Sequence, residues 1–321
     1  MPDLSTSAPI ARPVLDVLLA NPRGFCAGVR RAIAAVEAAL ERHGPPVYVR
    51  RPIVHNMAVV RALEAKGAVF VRELDEVPEG ARVVLSAHGV PPAVIADADA
   101  RRLLWLDATC PLVDKVHREV RRHHAERRHV ILIGHEGHPE VEGTVGQVPE
   151  GTVSVVNSPA AVRALPLDAE GPVAYALQTT YAQDEAGAIV AAIGERFGDV
   201  AAPPTSDICY ATSNRQAAVK AMAPAVDAVI VAGDAFSSNA MRLVEVARAA
   251  GCASVQLAAM ASDIDWAALG APRRLGLTAA ASAPESVVEE ILDALRARFF
   301  VQVEERPGRA ERTVFRPVRV A

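Results

Sequence analysis

An α/β fold built from parallel sheets is what this chain predicts, on three observations. Short runs rich in Val and Ile alternate with longer segments of helical period, the pattern of strands joined by crossover helices. A length of 321 residues exceeds one ordinary core, so more than one compact unit is expected. Three cysteines, Cys26, Cys110 and Cys209, each stand at a strand-to-helix corner at intervals of 84 and 99 residues, which suggests three similar small modules.

Taken in order, the apolar run VLDVLLA at 14–20 is the first strand, and the turn-rich NPRGFCAGVR at 21–30 leads from it into a helix at 28–42. Strands at 47–50, 68–71, 82–87 and 103–106 follow, with a helix over 56–66. A helix at 111–127 opens the next group, which has strands at 129–133, 153–156 and 173–178 and a helix at 184–196. Pro-rich APPTSD at 202–207 marks the clearest boundary. Beyond it, helices at 211–222, 239–250 and 284–298 alternate with strands at 228–232, 254–257 and 274–278. The expected division is a flexible tail at 1–13, an N-terminal strand and Cys26 loop at 14–27 packed with the third module, modules at 28–111, 112–206 and 207–299, and a C-terminal tail at 300–321.

Composition excludes several function classes. Half of the chain is apolar, yet charges break every apolar run before the ~18 residues that a membrane helix needs. MPDLSTSAPIARP lacks the basic and apolar regions of a signal peptide, so a cytoplasmic location is expected. A net charge of −4 with both signs interspersed argues against nucleic acid as a partner. The basic run RRHHAERRH at 121–129 reads as a solvated helix end, because no aromatic residues interleave it. Four cysteines in such a chain point to free thiols or metal ligands rather than to a disulfide framework.

Polar residues gather at the carboxyl ends of the strands, where open parallel sheets bind ligands. RPIVHN carries His55, SAHGV carries His88, GHEGHPEVEGT carries His135, His138 and Glu140, and QTTY carries Thr179 and Thr180. FSSN supplies Ser237, Ser238 and Asn239, and ASAP supplies Ser282. Histidines and small hydroxyl side chains beside helix starts suit a diphosphate held by neutral donors, imidazolium and helix N-termini. Glu140, the one carboxylate among these tips, is the natural proton donor, with a pKa that enclosure would raise. No phosphate-loop or dinucleotide fingerprint is present. HEGHPE is not a zinc-protease motif, since its histidines are three apart and Gly137 and Pro139 would break the required helix.

A cysteine in the first turn of a helix feels the positive end of the helix dipole, which lowers its pKa and favours the thiolate. Three such corners can bind a soft metal or an iron–sulfur cluster, and three ligands rather than four leave a position open for substrate. Cys252, in ARAAGCASV, reads instead as a small buried hydrophobe.

These motifs resemble the 4-hydroxy-3-methylbut-2-enyl diphosphate reductases, the LytB-type iron–sulfur reductase family of the non-mevalonate isoprenoid pathway. The resemblance runs from about residue 15 to 298 through NPRGFCAGV, RPIVHN, SAHGV, DATCPLVDKVH, GHPEVEGT, QTT, DICYATSNRQ, SSN and ASAP, in that order. It implies three modules in a pseudo-threefold cloverleaf around one four-iron, four-sulfur cluster, with Cys26, Cys110 and Cys209 as ligands and one iron open. It implies that His55, His88, His138, Ser237, Ser238, Asn239 and Ser282 hold the diphosphate, that Glu140 delivers protons and that Thr179 meets the substrate hydroxyl. The implied reaction is reductive loss of that hydroxyl to give isopentenyl and dimethylallyl diphosphate, with electrons from an external donor such as a ferredoxin or flavodoxin. This chain departs from the family pattern at Phe236, Ala240, Met241 and Ala280, beside the expected diphosphate pocket. Two alternatives stay open on residues alone: an iron–sulfur paralogue that senses a phosphorylated ligand without turnover, and a zinc hydrolase built on the same thiolates.

Overall fold

The computed structural model describes residues 12–320, so most of the tail expected at 1–13 lies outside the described residues. Strand β1 (Val14–Leu19) runs into the Cys26 turn and then helix α1 (Ala27–His43). Next come β2 (Val47–Arg50), α2 (Met57–Glu64), β3 (Ala68–Val71), β4 (Arg82–Leu85), α3 (Pro92–Ala100) and β5 (Leu104–Asp107). Strands β2 to β5 form a four-stranded parallel sheet in the order β3-β2-β4-β5. Val47, Val49 and Val84 face α1 through Ala32, Ala35 and Val36, and Val83 and Leu85 pack on the opposite side with Ala98 of α3.

The second sheet repeats the scheme with α4 (Pro111–Ala125), β6 (His129–Ile133), α5 (Pro139–Val145), β7 (Val153–Val156), α6 (Pro159–Ala164), β8 (Val173–Leu177), α7 (Gln183–Arg196) and β9 (Val200–Ala201). Its order is β7-β6-β8-β9, again all parallel. The third group is α8 (Tyr210–Met222), β10 (Ala228–Ala232), α9 (Ser238–Ala249), β11 (Ser254–Ala258), α10 (Trp266–Leu269), β12 (Arg274–Ala279), α11 (Glu285–Arg298) and β13 (Phe300–Glu305). Its five-stranded sheet has the order β11-β10-β12-β1-β13, so the first and last strands of the chain lie side by side. Both faces of each sheet are covered, which is why the strands read as short, nearly continuous apolar runs.

One expectation is corrected. Residues 300–305, assigned to a C-terminal tail, form β13 and pair with β1 in parallel register. FVQVEE hides this because it is a largely exposed edge strand with polar residues on both faces. The expectation that Gly137 and Pro139 keep the two histidines of HEGHPE off one helix holds: Gly137 lies in a turn at φ 78°, and Pro139 only opens α5, a short helix not foreseen, where proline at the first position loses no hydrogen bond.

Candidate active site where the three modules meet

Six helix caps converge on one cavity. Cys26 caps α1, Cys110 caps α4 and Cys209 caps α8, while Asn56, His138 and Ser237 cap α2, α5 and α9. The two outer thiols act as caps in the literal sense, since Cys26 Sγ accepts from Val29 N at 3.4 Å and Cys209 Sγ from Thr212 N at 3.3 Å. Helix starts thus aim their partial positive charge at the cavity from several sides.

The three cysteine corners share one hydrogen-bond scheme. Cys26 N donates to Ala281 O at 3.2 Å, Cys110 N to Ala87 O at 2.9 Å and Cys209 N to Thr179 O at 3.0 Å. In each case the acceptor lies at or next to a predicted substrate residue: Ser282, His88 and Thr179 itself. A single backbone contact therefore sets each thiol against its neighbouring strand tip.

All twelve predicted site residues line this cavity, with Val29, Val54 and Val113 as apolar walls. On one side the rings of His55, His88 and His138 cluster, with centroids 4.1 Å apart for His55–His88, 5.3 Å for His55–His138 and 6.0 Å for His88–His138. Ser237 and Ser282 hydroxyls meet at 3.2 Å, and Asn239 is buried beside them. Both ring nitrogens of His55, Nε2 of His138 and both side-chain polar atoms of Asn239 are buried with no protein partner. Buried polar atoms are normally paired. Here the unpaired ones face one another across a cavity, which marks a site shaped for a polar ligand.

Burial sets the charge of these groups. It pushes His55 down to about 4 and His138 to about 3, and His88 lies well below the ordinary range, with repulsion from other histidines adding to the effect at His138 and His88. The imidazolium expected from sequence is thus neutral imidazole until an anion arrives to stabilise the charged form. Glu140 moves the other way, up to about 7: burial dominates, opposed by two hydrogen bonds from Thr179 and assisted by the negative charge of Asp207. Thr179 N donates to Glu140 Oε1 at 2.6 Å, and Thr179 Oγ1 lies 2.8 Å from Glu140 Oε2.

The lowered thiol pKa expected from helix ends is overturned at Cys110 and Cys209. Burial pushes Cys110 up to about 12 and Cys209 to about 11, with repulsion from neighbouring thiols adding to it. Helix dipoles alone do not offset this desolvation, whereas a bound metal's charge does. Gly28 leaves room for such a group, because a Cβ there would come within 2.8 Å of Cys110 Sγ. Among the described residues no three His, Cys, Asp or Glu side chains converge closely enough to hold a single ion. Three soft donors around a shared space fit a polynuclear centre better than one zinc ion.

Comparison with known proteins follows the same lines. The family model described as LytB protein matches residues 17–296. The chain is 52% identical to the 4-hydroxy-3-methylbut-2-enyl diphosphate reductase of Gluconobacter oxydans over 95% of this chain and 92% of that protein. It is 53% identical to the enzyme of the same name from Cereibacter sphaeroides, over 96% and 97% of the two chains.

The chain belongs to the LytB family.

Solved structures agree with the fold of this LytB-family chain. The E-1-hydroxy-2-methyl-but-2-enyl-4-diphosphate reductase of Plasmodium falciparum aligns with a TM-score of 0.86 and 35% identity, covering 95% of this chain and 94% of that one. A second reductase, described as the terminal enzyme of the non-mevalonate pathway, aligns at 0.62 and 30%, covering 88% and 99%. Of the residues expected to depart from the family pattern, Phe236 stands edge-on to His55 with centroids 5.5 Å apart, and Met241 is partly exposed. Ala240 and Ala280 are buried beneath the pocket against Gly233, which has no room for a side chain: a Cβ there would lie 2.8 Å from that of Ala240 and 3.1 Å from that of Ala280.

Sequence reasoning gave no role to two supporting residues. Thr180 Oγ1 donates to Ser238 Oγ at 3.2 Å across two modules. Asp234 Oδ2 accepts from Met57 N at 2.9 Å and so docks the start of α2, next to His55, on the third module. The doubled threonine of QTT was a signal for the first; nothing in GDAF identifies the second. No described helix is long and apolar enough to cross a membrane.

Proposed function

We infer that this chain is a 4-hydroxy-3-methylbut-2-enyl diphosphate reductase that converts its substrate to isopentenyl and dimethylallyl diphosphate. The observation that carries this reading is the set of orphaned polar atoms on His55, His138 and Asn239, facing a buried carboxylic acid and three free thiols across one cavity. A four-iron, four-sulfur cluster on Cys26, Cys110 and Cys209 supplies, when bound, Lewis acidity toward the substrate hydroxyl and a path for electrons.

The protein's own groups do the rest. The diphosphate lies against His55, His88 and His138, with the hydroxyls of Ser237, Ser238 and Ser282 and the amide of Asn239 completing its hydrogen bonds. Val29, Val54 and Val113 shield the five-carbon chain from water. Glu140, with a pKa of about 7, is poised between its acid and carboxylate forms at neutral pH, and Thr179 donates to both its oxygens, from N to Oε1 and from Oγ1 to Oε2. When the acid form is present that second bond reverses, and Glu140 passes its proton through Thr179 Oγ1 toward the substrate hydroxyl. Two electrons and two protons enter; one five-carbon diphosphate and one water leave. The electrons come singly from an external carrier of the ferredoxin or flavodoxin type, since the chain carries no flavin or nicotinamide fingerprint.

Anaerobic turnover of 4-hydroxy-3-methylbut-2-enyl diphosphate by protein reconstituted with iron and sulfide tests this directly. Formation of both five-carbon diphosphates is expected. A protein that takes up a cluster and binds the substrate without releasing either product would overturn the reading.

A further inference from the structure

Each cysteine helix carries a cation one turn further along, and each of these cations reaches the loop of the next cysteine. Arg31, five residues after Cys26, donates from Nη1 to Ala108 O at 3.2 Å and to Thr109 O at 3.0 Å, immediately before Cys110. Lys115, five residues after Cys110, donates from Nζ to Thr205 O at 2.9 Å, Ser206 O at 3.2 Å and Asp207 Oδ1 at 3.0 Å, just before Cys209. Arg215, six residues after Cys209, donates from Nη2 to Gly24 O at 2.7 Å and from Nε to the same oxygen at 3.1 Å, two residues before Cys26. The ring closes on itself: first corner to second, second to third, third to first.

We propose that Arg31, Lys115 and Arg215 are positioning residues that fix the mutual spacing of the three thiols and thereby the lifetime of the cluster they hold. The proposal rests on the inferred role of Cys26, Cys110 and Cys209. Three independent observations favour a dedicated device over incidental packing. The three cations occupy equivalent places in modules with little sequence in common. Each acts on main-chain carbonyls, which other side chains of the loop cannot replace. Arg215 is wholly buried, an expensive place for a charge, and is neutralised by Glu311 from the C-terminal segment at 2.8 Å. Arg31 is held from the same segment, donating from Nε to Arg316 O at 2.9 Å. Residues that orient metal ligands from behind commonly change metal affinity by about 10–100-fold when removed.

The test compares the decay of the cluster's visible absorbance under anaerobic chelator challenge with the thermal melting of the cluster-free protein. Arg31→Met and the double variants Lys115→Met/Asp207→Asn and Arg215→Met/Glu311→Leu are made, the doubles so that no unpaired buried charge remains. Each is expected to load iron and sulfide and then lose absorbance about tenfold faster than wild type, with melting little changed. Arg42→Ala is the control: it frees the far end of the C-terminal segment, where Arg42 Nη1 donates to Val320 O, without touching a cysteine corner, and should keep the wild-type decay rate. Decay as slow as wild type in all three ring variants would overturn the proposal, as would decay that quickens only in proportion to lost melting temperature. Wild-type protein that loads no cluster would instead overturn the role of the cysteines.

Discussion

The thiol side and the histidine side of the cavity are built from the same parts and finished differently. Both consist of helix caps at strand ends. Around the cysteines the backbone is over-determined: each corner has its own N–H bonded to a neighbouring tip, and a cation from the preceding cysteine helix in the ring grips its loop. Around the histidines the side chains are under-satisfied, with ring nitrogens and an amide left without partners. The lesson is a division of labour. A permanent group needs a rigid cradle, whereas a ligand that comes and goes needs donors whose hydrogen bonds are completed only when it is present.

The hardest blow to this comparison is Cys110→Ser. Serine is a harder, less acidic donor in a buried place, so the variant should bind iron and sulfide poorly and lose at least about a hundredfold in turnover. Iron content, visible absorbance and anaerobic turnover measure this together. A serine variant with a stable cluster and wild-type turnover would show that the cradle does not need its third thiol.

Glu140→Gln comes next. Loss of a positioned acid should lower turnover by about 10²–10⁴-fold while substrate affinity stays within a few fold. Wild-type turnover should fall as pH rises through about 7, where Glu140 loses its proton, and the variant should lack that limb. The same shift has a thermodynamic consequence in the cluster-free protein. Because its folded-state pKa is raised from 4.5, Glu140 keeps a proton in the folded chain that it loses in the unfolded chain between about 4.5 and about 7. The contribution of Glu140 to stability therefore declines across that window as pH rises and stays at the lower level above it. Thermal melting of Glu140→Gln should exceed wild type at pH above 7 and match it at pH below 4.5. Equal melting at both ends would mean that Glu140 is not held in a desolvated setting.

How much of this was legible in the sequence follows from what kind of fact each feature is. The strands were readable because both sheet faces are covered, so that VILI and AVIVA are unbroken apolar runs and VLDVLL is interrupted only by Asp16. The short helices α3, α5, α6 and α10 were not, since their hydrophobic period is brief and the Pro or Gly signals at the starts of the first three and at the end of α10 read equally well as turns. Site membership was legible because Cys, His and Glu stand at strand ends next to helix starts. Their charge states were not. Burial is a property of the assembled modules, and it reversed the expectation for both the thiols and the histidines. The ring of Arg31, Lys115 and Arg215 left a trace in the near-equal offsets from each cysteine, but the offsets gain meaning only once the loops that the cations reach are known.

The neutrality of the histidine cluster can be sharpened by calorimetry. With His55 at about 4 and His138 at about 3 in the free protein, both are neutral at pH 7, and a bound diphosphate must raise their pKa values. Binding of pyrophosphate should therefore take up protons, and affinity should strengthen as pH falls from about 8 to about 6. Titrations in two buffers of different ionisation enthalpy read the uptake, and His138→Gln should reduce it together with about tenfold of affinity. Binding without proton uptake would mean that the pocket works through neutral donors alone.

The smallest expected effect lies at Phe236. Its ring stands nearly perpendicular to His55, at 80°, and is itself half-exposed at the mouth of the pocket. An edge-on aromatic contact of this kind is worth about 0.5–1.5 kcal/mol when buried, and less where water reaches one face. Its work is to hold His55 in place before the diphosphate arrives. Phe236→Asn should therefore raise KM by about two- to fivefold and leave kcat unchanged, because the contact is equally present in the ground and transition states. A fall in kcat would place Phe236 closer to the chemistry than to the entrance. An unchanged KM would mean that the histidine cluster is held by its own packing, and that the under-satisfied side of the cavity is as rigid as the thiol side opposite it.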